Sequence, residues 1–232
     1  MADKLLLLLA ARGGVPTDVL REQVSAAAAR LSEMLAAAGG GARAFLRQEG
    51  DPFRRGGPPM RGFDATLELR AAGPGAEAAL LGAARGADER LSGLVHVDLC
   101  AALLGSDHVI VPCPPTPVRY QYVMRRRRDL THAQYADHYL KVHAGYGREA
   151  PGIAGYVQFH VEPEASRRAA ASAGVGLWSA DSVSELHLAS TAEFLAGISR
   201  WQGRDRAMAD ENAFVDRANS VMFVSDALEL AG

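Results

Sequence analysis

At 232 residues, with 48% hydrophobic and 22% charged, the chain has the composition of an ordinary folded globule with room for one large domain or two small ones. A formal net charge of −2 supplies no global field that would draw it to nucleic acid or to an anionic membrane. The two cysteines, Cys100 and Cys113, have no metal-type or CxxC spacing, which suits a reducing cytoplasm and excludes a disulfide scaffold.

The first predicted element is a strand over residues 4–10. Its apolar run is preceded by Asp3 and followed by Arg12, which argues for a buried strand rather than a signal peptide. No stretch approaches the roughly 18 apolar residues of a membrane span. Thr17 reads as the N-cap of a long helix, on which Leu20, Val24, Ala27, Ala28, Leu31 and Leu35 form one stripe. Gly39, Gly40 and Gly41 end it. Strands over 42–48 and 63–70 flank a loop, 50–62, rich in Gly, Pro and Arg. Helical pieces follow over 75–85 and 88–104, then a fourth strand over 108–112. Four prolines in the six residues 112–117 make a stiff, extended linker.

The second half repeats the order. Strands are predicted over 119–124, 155–161, 182–188 and 219–224, and helices over 131–148, 191–201 and 203–214. Residues 163–180 read as an Ala/Ser/Gly loop carrying Trp178. Two successive βαββαβ patterns predict an α+β protein of tandem ferredoxin-like units: 1–112 as scaffold, 113–118 as linker, 119–232 as the site-bearing unit. Each unit would leave one sheet face bare. Packing the two faces together removes apolar surface at roughly 25 cal/mol per Å² and gives an intramolecular dimeric α+β barrel. A monomer with pseudo-dimeric halves, or a homodimer, would satisfy that design.

The chemistry concentrates between Arg125 and Val161, which holds four of the seven histidines and four of the six tyrosines. Thr131 and Gln134 form a capping-box signature. At 100° per residue, Tyr135, Tyr139, Val142 and Tyr146 share one stripe, flanked on opposite edges by His138 and His143. The corresponding helix of the first half has the same apolar stripe without a Tyr or His, so the fold does not demand these residues. A satisfied core histidine remains the bland reading for any one of them.

Arg126-Arg127-Arg128-Asp129-Leu130-Thr131, Tyr135, the pair His143-Ala144 and the run Pro151-Gly152-Ile153-Ala154-Gly155-Tyr156-Val157-Gln158-Phe159-His160 together resemble the EthD domain. Gly145 stands where that family usually has Pro, and His187 where it often has an aromatic residue. The resemblance implies the dimeric α+β barrel superfamily, whose members include cofactor-free cyclases, isomerases, quinone-forming monooxygenases and dehydratases. It also implies a ligand pocket between sheet and helices, here lined by Tyr135, Tyr139, Tyr146, Tyr156 and Trp178. The expected ligand is a small aromatic or polyketide-like molecule of secondary or catabolic metabolism.

His143 is the expected general acid/base, with His160 or His138 as second proton-transfer group and tyrosine hydroxyls holding an enolate. The leading expectation is a cofactor-independent lyase or isomerase performing dehydration, cyclisation or enolisation. A non-catalytic binder and a cofactor-free monooxygenase are the alternatives. His138 and His143 lie off the i, i+4 spacing of a helical metal pair, so no metal is expected, and one histidine-rich helix does not argue for haem. The basic run Arg125 to Arg128 lacks aromatic interleaving and reads as a solvated strand end rather than a nucleic-acid site, with Arg125 free to anchor an acidic ligand. His187 and Glu185 share a strand face and are expected to satisfy each other. His96 and His108 read as structural.

Overall fold

The computed structural model describes residues 3–53 and 62–229, so most of the loop expected over 50–62 lies outside the described residues. The strands are β1 (Lys4–Leu9), β2 (Gly41–Arg47), β3 (Ala65–Arg70), β4 (Ala101–Val111), β5 (Val118–Met124), β6 (Gly155–Val161), β7 (Ser182–Leu188) and β8 (Val221–Leu228). They close into one antiparallel barrel in the order β1-β3-β2-β8-β5-β7-β6-β4. Within each half the order is that of a ferredoxin-like unit, and the pairs β2–β8 and β4–β6 join the halves.

Both faces of the wall are covered, which explains the unbroken run Leu5 to Leu9. Leu5, Leu7 and Leu9 meet helices outside, while Leu6 and Leu8 point into the barrel with Leu103, Phe159, Val183 and Phe223. The outer layer of the first half is α1 (Thr17–Ala36), α2 (Ala76–Ala84) and α3 (Ala87–Leu91). The second half carries α4 (His132–His138), a π turn (Tyr139–His143), α5 (Ala144–Glu149), α6 (Pro163–Ala173), α7 (Thr191–Arg200) and α8 (Arg204–Phe214). No helix among the described residues is long and apolar enough to cross a membrane.

Three expectations are corrected. Thr17 is the first helical residue and Pro16 occupies the cap, with no side-chain cap bond. The helical reading of 88–104 holds only for α3 and a 3-10 turn at Val97–Leu99, because the fourth strand starts at Ala101 rather than at 108. Its Ala-Ala-Leu-Leu start pairs with β1 and is buried on both faces, so it shows no strand alternation. Residues 163–173, read as loop, form α6. Pro163 at its first turn, a buried stripe of Ala165, Ala169, Ala170 and Ala173, and Gly174 in the left-handed conformation at its end are the local reasons.

Helix α6 belongs to the second half but packs on β4 and α2 of the first. In return, Phe53, from the β2–β3 loop of the first half, packs on Tyr120 and Phe194 of the second, at ring separations of 4.9 and 6.0 Å. Each half thus covers part of the other.

One end of the barrel interior is apolar; the other is charged. Lys4, wholly buried, pairs with Glu185, with Asp107 at 3.1 Å and with Glu68 at 3.4 Å. Arg119 reaches Glu68 at 3.3 Å and Glu185 at 3.4 Å, and Arg70 reaches Glu68 at 2.9 Å and Asp107 at 2.5 Å. Gln121 donates to Glu185 at 3.2 Å and accepts from Thr66 at 2.9 Å. Burial alone would raise the Glu68 carboxyl, but Lys4, Arg119 and Arg70 outweigh it and hold the group well below the usual range. Glu185 is therefore satisfied by cations and an amide. The expected Glu185–His187 pairing does not form, and both His187 ring nitrogens are buried without a hydrogen-bond partner.

Candidate active site

The helical segment over β5–β8 starts on a complete capping box. The Thr131 hydroxyl accepts from the Gln134 N–H, and the Gln134 side chain accepts from the Thr131 N–H. One turn later the segment widens into the π turn at Tyr139–His143. A π turn takes an extra residue, so side chains five apart reach one side. It overturns the even 100° count used for the sequence. Val142, placed in the buried stripe by that count, is 47% exposed, and the His143 side chain, placed at its edge, is 16% exposed.

The same turn gathers His138 and His143 onto one carboxylate. Asp210 of α8 binds His138 Nε2 at 2.9 Å through one oxygen and His143 Nδ1 at 2.8 Å through the other. Since Nδ1 faces Asp210, Nε2 is the His143 nitrogen left for a ligand. Around the imidazole stand Phe214, Tyr139 and Tyr146, with ring centroids 5.0, 5.9 and 5.9 Å away.

His143 opens on a cavity of about 270 Å³ between sheet and helices. Tyr120, Tyr122, Tyr156 and Leu186 supply its sheet side, Tyr146 and Gly147 one helical wall, and Phe194, Trp201 and Met208 another. Phe53 closes it from the first half. Glu211 and Arg217 form its polar corner, where Tyr122 donates to Glu211 at 3.0 Å and Arg217 Nε lies 3.3 Å from the same carboxylate. Gly147 lets the helix rest on Tyr156, since a Cβ there would meet that ring at 2.1 Å. Burial, then Glu211, pushes the Tyr122 phenol far up, and burial raises Tyr135, Tyr139 and Tyr156 as well. These hydroxyls stay protonated, so none of them serves as a base.

Of the residues singled out from sequence, His143, Tyr146 and Tyr156 line the cavity. Tyr135 and Tyr139 are wholly buried behind it, Tyr135 on Ser182 at 2.5 Å and Tyr139 3.4 Å from the Tyr156 hydroxyl. His138 sits behind Asp210. The strand-face question at His160 resolves toward the helix, yet the ring stacks on the far side of Tyr139 at 5.3 Å and bonds Gln158 at 3.2 Å, away from His143. His108, read as isolated, lies 4.3 Å from His160. His132 bonds Asp181 at 2.8 Å.

Trp178 does not reach the cavity. It packs on Phe63 at the apolar end of the barrel, 5.3 Å away, because α6 carries the chain over the first half before returning to β7. Arg125 is not among the lining residues either; the cavity's arginines are Arg204 and Arg217. Sequence reading missed Asp210, Glu211, Arg217, Tyr120, Tyr122, Phe53 and Trp201. The two strand tyrosines carried a signal, because Tyr120 and Tyr122 alternate with Arg119, Gln121 and Val123 and so had to share one face.

Burial pushes the His160 imidazole down to about 4, with His108 adding to the effect, and pushes His187 down to about 4, with Arg119 adding. In the unfolded chain both rings take a proton near pH 6.5, whereas the folded protein resists until about pH 4. Stability is thus full above pH 6.5 and declines as pH falls from there toward 4. Thermal midpoints at pH 7 and pH 5 should show this fall, and His160→Gln should shrink it; an unchanged pH slope in that variant would refute the assignment.

The family model described as EthD domain matches residues 127–218. None of the curated proteins matches the chain. Among solved structures, an anthrone oxidase-like protein aligns with a TM-score of 0.61 at 10% identity, covering 98% of this chain and 92% of that one. A candidate monooxygenase from Lactobacillus acidophilus aligns with a TM-score of 0.51 at 11% identity over 99% and 95% of the two chains. A candidate chlorite dismutase gives 0.53 at 10% identity over 99% and 96%. At such identities these likenesses establish the barrel fold.

Proposed function

We propose, taking the EthD domain over residues 127–218 as premise, that the chain is a cofactor-independent enzyme removing a proton from an enolisable or phenolic aromatic small molecule. The chemistry would be of the lyase or isomerase type: enolisation, dehydration or cyclisation. The observation that carries the reading is the Asp210–His143 pair on the wall of an aromatic-lined cavity.

Asp210 fixes the tautomer with the proton on Nδ1, so the Nε2 lone pair serves as base, and the carboxylate steadies the imidazolium that forms. The substrate C–H or O–H proton moves to Nε2, and its electron pair moves onto the ring-conjugated oxygen. The Tyr146 hydroxyl on the wall, with Arg217 nearby, would hold that oxygen. Returning the proton at another carbon completes an isomerisation; giving it to a departing hydroxyl releases water. The aromatic rings favour a flat ligand and exclude bulk water.

Haem occurs in some barrels of this fold, and the residues here do not suit it. Three aromatic rings crowd the His143 imidazole within 6 Å, and a cavity of about 270 Å³ has room for a small aromatic ligand but not for a porphyrin against that ring.

The test uses cyclic aryl ketones in D₂O. Wild-type protein should accelerate exchange of the proton next to the carbonyl, followed by NMR, and His143→Ala should not. Binding seen as a change in Trp201 fluorescence without exchange would make the protein a carrier instead. Oxygen uptake coupled to turnover would make it a monooxygenase, and a Soret band on haem addition that depends on His143 would overturn the cofactor-free reading.

A further inference from the structure

The proline-rich linker crosses one mouth of the barrel. The Pro117 carbonyl accepts from the Ala227 N–H at 2.8 Å, and Cys113 sits directly over Gly155, where a Cβ would meet its sulfur at 2.2 Å. Below the linker, Ser225, Arg119 and His187 occupy paired positions on three adjacent strands, β8, β5 and β7, all facing inward; Gly155 continues the row on β6 without a side chain.

This row collects unpartnered polar atoms. Arg119 Nε, both ring nitrogens of His187 and Ser225 Oγ are each buried without a hydrogen-bond partner, with Arg119 2% and Ser225 0% exposed. Orphaned polar groups are rare in proteins, so several in adjacent positions call for a hydrogen-bonding partner there, water or a bound polar group. The charge there is also unbalanced. Lys4, Arg43, Arg70 and Arg119 face Glu68, Asp107 and Glu185, and Arg43 is the cation with no ion pair among the described residues. Arg43 and Arg119 lie against the same Phe45 ring, 5.1 and 4.8 Å from its centre, so both guanidinium groups belong to this mouth.

We propose that the linker-covered mouth of the barrel binds a small oxyanion of the carboxylate or phosphate class. Arg119 Nε–H and the Arg43 guanidinium would receive it, and the Ser225 hydroxyl and one His187 ring N–H would complete its shell. Burial and Arg119 keep His187 neutral, so the ring offers one N–H donor and one acceptor. The site is separate from the candidate active site, because Arg119 points into the barrel while its neighbour Tyr120 points out to the cavity.

Calorimetric titration of the full chain with inorganic phosphate, and separately with acetate, at constant ionic strength tests this. One saturable site per chain is expected, together with a shift of the His187 ring ¹⁵N resonances that tracks occupancy. Arg43→Met should weaken binding at least tenfold and Ser225→Ala severalfold, whereas Arg217→Gln, at the active-site cavity, should leave it unchanged. Ser225→Ala is the smaller change and serves if Arg43→Met fails to fold. No saturable uptake of either anion by the folded wild type, equal binding in the barrel variants, or loss in Arg217→Gln would each overturn the proposal.

Discussion

Replacing His143 by Ala should lower turnover by at least a hundredfold while leaving the fold intact. General acid–base groups are worth about 10²–10⁴ in rate, and the imidazole contributes to the cavity wall rather than to the barrel core. Asp210→Asn is the sharper test of the arrangement. The amide would still fill the space between His138 and His143, but its NH₂ can donate to Nδ1, shifting the proton to Nε2 and disabling the base. Turnover should then fall with KM little changed. His138→Ala leaves the Asp210–His143 contact in place and should cost far less, within about tenfold. Full activity in His143→Ala would refute the assignment, and equal losses in the two histidine variants would assign both rings to the chemistry.

The second large effect is on stability. Glu185→Ala removes the carboxylate that faces both Lys4 and Arg119 inside the barrel and leaves two buried cations undercompensated. Breaking a buried pair from one side costs about 3–5 kcal/mol. At about 2–4 °C per kcal/mol for a chain of this size, the thermal midpoint should drop by roughly 6–20 °C. Lys4→Met should do similar harm, by leaving Glu68, Asp107 and Glu185 short of a cation. The double variant Lys4→Met, Glu185→Ala should lose much less than the sum of the singles, since it removes both charges together. A drop of only 1–2 °C in either single variant would show that the network rearranges or admits water.

The barrel was legible in the strand-helix order, and the helix cap in Thr131 and Gln134, because those features depend on neighbours in sequence. The π turn was not. Tyr139-Leu140-Lys141-Val142-His143 has an ordinary helical composition, and one inserted residue there exchanges Val142 for His143 on the inner face. Asp210 was hidden for a different reason: it stands 67 residues beyond His143 on a separate helix, a distance that helical periodicity cannot bridge. The charged end of the barrel did leave a trace. Lys4, Glu68, Arg119 and Glu185 are charges set in largely apolar strands, a pattern that mutual neutralisation in the interior explains. Helix α6 was missed because its Ala-rich stripe is too weakly apolar to stand out from a small-residue loop.

The contrast between the two outer layers has a consequence for stoichiometry. Over the first half, Leu and Ala side chains of α1 pack directly on the sheet, and the space they enclose with α3 is about 120 Å³, less than half the volume of the cavity beside His143. A barrel assembled from two identical subunits must build its pocket twice, and the two copies can then communicate through the shared strands. Two unlike halves in one chain are free of that symmetry. Here the two outer layers differ: the cavity of the second half is lined by His143 and aromatic rings, with Phe53 lent by the first half, whereas the space under α1 is lined mainly by aliphatic side chains, so a ligand that needs the imidazole and the rings meets them on one side of the barrel rather than on both.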